Sequence, residues 1–92
     1  MTERTKIYVP VSVDFRDDGT MLPRSIQWED GRTYCIDRVV HICQAAASVG
    51  GNGDRYTIEV NGNQCYLFFE SIYPQRDYRI GRWFVERKAG YS

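Results

Sequence analysis

At 92 residues the chain is expected to form one domain with a thin core. Its formal charge is zero and its pI about 6.5, which argues against strong non-specific binding to DNA or to anionic membranes. The charge is uneven: residues 1–70 carry seven basic and ten acidic groups and residues 71–92 five and two, so an anionic partner is sought near the C-terminal end. Three cysteines, an odd number, and no apolar run near the N-terminus long enough for a signal peptide or membrane span suggest a cytoplasmic protein with reduced thiols and no membrane partner.

Residues 1–6 are polar and expected to be disordered. Ile7, Val9, Val11, Val13 and Phe15 then alternate with Tyr8, Pro10, Ser12 and Asp14, the period-2 pattern of a half-buried strand. Pro10 has no N–H to give a ladder, so its part of the strand is expected on an edge or paired on one side only. Arg16-Asp17-Asp18-Gly19 makes a turn, and a loop of Asp17-Asp18-Gly19 pairs Phe15 with Met21. Pro23 interrupts before the next hairpin.

The stretch 25–42 is the most informative. Asp30-Gly31 is a strong turn dipeptide, and two loops compete for it. A two-residue turn puts the apolar residues of the two strands on opposite faces. A three-residue loop, Glu29-Asp30-Gly31 with Gly31 left-handed, pairs Trp28 with Arg32 and Ile26 with Tyr34, and puts Ile26, Trp28, Tyr34 and Ile36 on one face. The second loop is the expected one. The even positions continue as Arg38, Val40 and Ile42, so Arg38 is the anomaly on an apolar face. Residues 33–47 are too long for one flat strand and are expected to bend or bulge. Within residues 43–48 a helical turn is the weaker reading, and Gly50, Gly51 and Gly53 read as a loop, not a phosphate cradle, because a strand follows.

Residues 55–60 and 63–70 form a hairpin around Asn61-Gly62, with Tyr56, Ile58, Val60, Cys65, Leu67 and Phe69 on one face. The other face carries Tyr66 and Phe68, which the C-terminal segment or a partner must cover. Residues 71–81 read as a loop built on Pro74, and residues 82–88 as a last strand with Trp83 and Val85 on one face and Phe84 and Glu86 on the other. The expected fold is all-β: a small antiparallel barrel or strongly bent sheet of five to six strands joined by hairpins.

The order W-x-D-G-R-x-Y-x-I-D-R-V from Trp28 to Val39, then R-Y-T-I from Arg55, Y-L-F from Tyr66 and R-W-F-V-E-R from Arg82, resembles a family of short uncharacterised bacterial proteins. More distantly it resembles a domain of unknown function appended to some bacterial polymerase-like repair proteins. The resemblance covers about two thirds of the chain and carries over no catalytic residues. It implies a compact β domain working near DNA repair machinery.

The main candidate site is a basic-aromatic cluster: Tyr73, Arg76, Tyr78, Arg79, Arg82, Trp83, Arg87 and Lys88. Interleaved arginines and rings can track phosphates and stack bases. Against this, the neutral overall charge and the nearby Asp77 and Glu86 favour reading the arginines as solvated loop charges, with Tyr73 and Trp83 in the core. Arg38 either grips a carboxylate or phosphate, or pairs with an acidic neighbour while its stem packs on the core. His41 and Cys43 stand about 7 Å apart along a strand, too far for a thiol and its base. Cys35, His41, Cys43 and Cys65 lack the paired spacing of a metal site, so neither a metal nor a cofactor is expected. The leading expectation is a non-catalytic binding module for a nucleic-acid strand or a protein. A self-assembling homodimer, through the Pro10 edge and the Tyr66/Phe68 face, is the alternative.

Overall fold

The structure, a computed structural model, describes residues 4–46 and 52–88, apart from the side chains of residues 4, 45, 46, 52, 73–76 and 88. The described chain is all-β, in eight strands: β1 Arg4–Tyr8, β2 Val11–Phe15, β3 Met21–Gln27, β4 Thr33–Cys35, β5 Arg38–Ala46, β6 Asn52–Val60, β7 Asn63–Arg76 and β8 Arg79–Lys88. They form two antiparallel sheets, a five-stranded one in the order β1-β8-β7-β6-β5 and a three-stranded one in the order β2-β3-β4. No helix among the described residues is long and apolar enough to cross a membrane.

Turn chemistry sets the registers. Gly31 takes φ 86°, the Trp28 N–H donates to the Arg32 carbonyl at 2.7 Å, and Ile26 faces Tyr34: this is the bulged three-residue loop. The first turn follows the same plan, with Gly19 at φ 89° and Phe15 opposite Met21. Asn61 and Gly62, at φ 52° and 80°, form the two-residue primed turn that pairs Val60 with Asn63.

Two long stretches each run through both sheets. The first passes from β1 to β2 at Val9–Pro10, where Pro10 offers its carbonyl to the Gln27 N–H at 3.0 Å. The second bends at Ile36–Asp37, between β4 and β5, as the length of residues 33–47 led us to expect. Ala47, Ser48, Gly50 and Gly51, and with them the end of that stretch and most of the glycine loop, lie outside the described residues. Gly53 is already in β6, and Cys43–Ala46 are strand.

Five expectations need correction. Arg4–Lys6 are not disordered but pair with Glu86–Lys88 of β8, and Lys6 is further anchored by Glu70 of β7, the strand beyond β8. The Ile7–Phe15 alternation does not stay buried: the ladder shifts between Ser12 and Val13, and Phe15 ends 69% exposed. Pro23 does not break β3 but sits fully buried within it, opposite Val13, where the shifted ladder leaves room for a residue without an N–H. The even-numbered face does not run through Arg38, because the chain turns at Ile36–Asp37 and Val39 takes the core position opposite Ile58. Residues 71–81 are no loop: β7 runs on to Arg76 and returns at Arg79 through Asp77 and Tyr78, both at positive φ. Pro74 fits there because it falls in the irregular stretch between Ser71 and Arg76.

The core lies between the sheets. Ile58 and Leu67 are completely buried, with Val9, Ile26, Tyr56 and Trp83 around them. Each such side chain contributes about 1.5–3 kcal/mol on burial. The Tyr56 ring stands 5.0 Å from Trp83, and its hydroxyl donates to the Met21 carbonyl at 3.1 Å, tying the two sheets together.

Candidate functional site

The predicted cluster does not converge. Trp83 belongs to the core, between Tyr56 and Phe69, and cannot receive a ligand without unfolding. Tyr78 projects fully into solvent at the β7–β8 turn, where Arg79 pairs with Asp77 at 3.3 Å. Arg87 leaves the other end of β8 to pair with Glu29 and lie over the Trp28 ring. Arg38 pairs with Glu59 at 3.3 Å, the ion pair that its alternative reading allowed, and its side chain is 65% exposed. The side chains of Tyr73, Arg76 and Lys88 lie outside the described residues. Arg82 alone joins a cluster, and that cluster was not expected.

It lies on the outer face of the five-stranded sheet. The registers align Tyr8, Phe84, Phe68, Arg55 and Cys43 in one row across β1, β8, β7, β6 and β5. Phe68 and Phe84 stack at 5.0 Å, with Tyr8 edge-on to Phe84. Cations roof the rings: Lys6 over Phe84, Arg82 over Tyr8 and Arg55 over Tyr66. Phe68, which needed cover from the C-terminal segment or a partner, is 3% exposed beneath Phe84 of the C-terminal strand, itself 2% exposed, whereas Tyr66 stays half exposed. Among the described residues, side chains of the same face supply the cover.

Glu70 holds that roof, accepting hydrogen bonds from Lys6 at 2.7 Å, Tyr8 at 3.2 Å and Arg82 at 3.1 Å. The Lys6 hydrogen bond is the main reason its carboxyl titrates below the ordinary 4.5, with burial opposing the shift. Lys6 is raised in turn, chiefly by the same bond. A carboxylate depressed by folding stabilises fully above its unfolded value, and the gain is lost as pH falls through the folded value. Glu70→Gln should therefore melt lower than wild type at about pH 7, and the two melting curves should converge between roughly pH 5 and pH 2. Parallel curves across that window would show that Glu70 does not hold the roof.

A hollow lies elsewhere, where the five-stranded sheet forks. The β7–β8 ladder stops at Phe68–Phe84; beyond it β8 pairs only with β1, while Asn63–Leu67 of β7 pair only with β6. Between the two arms opens a cleft of about 680 Å³. Ile26 and Tyr34 of the three-stranded sheet and Trp28 of its β3–β4 loop line it together with Val60 and Val85, and Gln64, Tyr66 and Thr57 stand at its outer side.

The edge facing this cleft has a defined polarity. Residues that flank a two-residue turn bond to each other, and ladder bonding then alternates. Asn63, Cys65 and Leu67 therefore direct their backbone groups to β6, whereas Gln64 and Tyr66 direct theirs into the cleft. The Asn61 N–H also donates to the Asp37 carboxylate at 3.0 Å, fixing the turn beside the β4–β5 bend.

Comparison with family models, curated proteins and solved structures finds no match.

Other chemistry-bearing groups stay apart. Among the described residues no three His, Cys, Asp or Glu side chains gather as metal ligands. Arg38 and His41 line a second hollow of about 450 Å³ that Cys43 does not line. Cys65 lines the main cleft, but burial pushes its thiol up, which lowers the thiolate fraction a nucleophile needs. Nothing in the sequence marked the cleft, because it depends on β1 capturing β8. Arg55 was open to notice, since the Asn61-Gly62 register puts it on the same face as Tyr66 and Phe68.

Proposed function

We propose that this chain is a non-catalytic binding module that takes an extended segment of another protein along the open edge of β7. The observation that carries this reading is the fork: Gln64 and Tyr66 offer backbone groups to a cleft whose floor is apolar. Strand addition uses such an edge for affinity and the side-chain pockets beneath it for specificity. A segment with apolar residues at alternate positions fits, because one set of side chains would meet Ile26, Trp28, Tyr34 and Val60 while the other faces outward. We also read the two sheets as one strongly bent, barrel-like wall, since residues 4–15 and 33–46 each run through both, with the cleft as its slit. A domain appended to repair proteins, as the resemblance implies, would use such an edge to hold a partner chain.

A nucleic-acid strand is the second reading, favoured by the aromatic row and its cations Lys6, Arg55 and Arg82. It ranks second because Lys6 and Arg82 are neutralised by Glu70, Arg79 and Arg87 by their own acids, and the two stacked rings are covered.

The test uses random ten-residue peptides selected on the immobilised chain. Gln64→Pro removes an N–H aimed at the cleft and leaves the β6 ladder intact, so it should weaken selected peptides at least about tenfold, while Gln64→Ala retains them. In the free chain the Gln64 and Tyr66 amides should exchange with solvent faster than those of Asn63, Cys65 and Leu67. Selected peptides indifferent to Gln64→Pro would sink the reading. Light scattering on the free chain should show a monomer, and a dimer that loses its contact in Gln64→Pro would make the occupant a second copy.

A further inference from the structure

Ion pairs account for most described cations. Lys6 and Arg82 share Glu70; Arg24 faces Asp14, Arg32 Asp30, Arg38 Glu59, Arg79 Asp77 and Arg87 Glu29. Among the described residues two arginines form no ion pair. Arg16 is exposed in the first turn, where water solvates it. Arg55 is half-buried on the outer face, between Phe68 of β7 and Cys43 of β5, and its Nε is sealed from solvent without a hydrogen-bond acceptor.

The position of Arg55 says what is missing. Its guanidinium lies 4.5 Å from the centre of the Tyr66 ring. A ring can satisfy the face of a guanidinium but not the in-plane N–H groups, which call for a planar two-oxygen acceptor. Tyr66 also lines the cleft, with Thr57 and Phe68 of the same face, so the unsatisfied cation and the open strand edge adjoin. Adjacent strands lie about 4.8 Å apart, which puts the residue of an added strand opposite Tyr66 one step beyond the ring that Arg55 covers.

We propose that Arg55 receives a side-chain carboxylate of the segment bound in the cleft, so that the module selects an extended segment carrying an acidic residue on its outward face. This rests on the cleft reading. Charge complementarity argues for the carboxylate at the position beside Tyr66, because Arg55 is half-buried and forms no ion pair among the described residues, while Glu86, the charged residue of the cleft lining, stands on the other arm.

Two acetylated, amidated eight-residue probes test it, each with lysine at both ends and alternating valine and threonine between. One carries glutamate and its twin glutamine at the same central threonine position. Wild type should bind the glutamate probe about tenfold tighter than the twin. The preference should vanish in Arg55→Met, which removes the charge and keeps the stem, and fall sharply in Arg55→Lys, which keeps the charge and loses the fork. Both variants should bind the twin as wild type does, which also shows that they fold. The Arg55 Nη–H resonances should move with the glutamate probe and stay with the twin. Equal binding of both probes to wild type would overturn the inference and leave the cleft reading standing. Binding of neither would remove both. If only an eight-nucleotide oligothymidylate moves the Arg55 resonances, the guanidinium belongs to a phosphate and the carboxylate assignment fails.

Discussion

Replacing Trp83 by alanine should unfold most of the protein at room temperature. Trp83 is 8% exposed, stands 5.0 Å from Tyr56 and 4.9 Å from Phe69, and belongs to the one cluster that joins the sheets. Truncating a buried Trp costs about 3–5 kcal/mol in lost transfer free energy and in the cavity left behind. A domain of this size often has little more than that in total. The substitution reaches further than its own volume, because Tyr56 donates its hydroxyl across to the three-stranded sheet and would lose the ring that positions it. Denaturant unfolding followed by circular dichroism measures the effect. Trp83→Phe should retain a cooperative transition at a lower midpoint, since it keeps a ring in the cluster. A Trp83→Ala chain with an unchanged midpoint would return Trp83 to the surface, where its neighbouring arginines had first suggested a stacking role.

That contrast shows what was legible. The Asp30-Gly31 and Asn61-Gly62 turns state their chemistry in two residues, and each fixes the face of every residue in its strands, so Ile26, Tyr56, Ile58 and Leu67 could be assigned to the core from spacing alone. Around Pro74 the same logic had nothing to hold. Asp77 and Tyr78 make a turn at positive φ without a glycine, and the hairpin that carries them passed for a loop. Charge was the other limit. The arginines after residue 71 look like one basic patch in the chain, yet side chains alternate across a strand, so Arg82 and Arg87 leave β8 toward different partners, Glu70 and Glu29. The cleft was out of reach because it arises from a pairing between the two ends of the chain, Arg4–Tyr8 with β8, which draws β8 away from β7.

Gly81→Ala is expected to destabilise the protein by about 1–3 kcal/mol. Gly81 pairs with Ser71 where β7 and β8 resume their ladder after the irregular stretch. A Cβ there would stand 2.3 Å from Phe69 Cζ and 2.7 Å from the Glu70 carbonyl oxygen. The ring cannot simply step aside, because Trp83 lies 4.9 Å from it. The carbonyl is backbone of a paired strand, and moving it disturbs Glu70, which holds Lys6 and Arg82 over the aromatic row. The strain should therefore appear in two readouts: a lower thermal midpoint, and a loss of the difference between wild type and Glu70→Gln at neutral pH. Phe69→Leu removes the ring atom nearest the new methyl, so the double variant should lose less than the sum of the single losses, with a coupling of about 0.5–3 kcal/mol. Strict additivity would place the damage in the Glu70 carbonyl and the hairpin ladder instead of the ring. A neutral Gly81→Ala would show that β7 and β8 do not approach this closely, and the fork beyond Phe68–Phe84 would lose the fixed strand pair from which it opens.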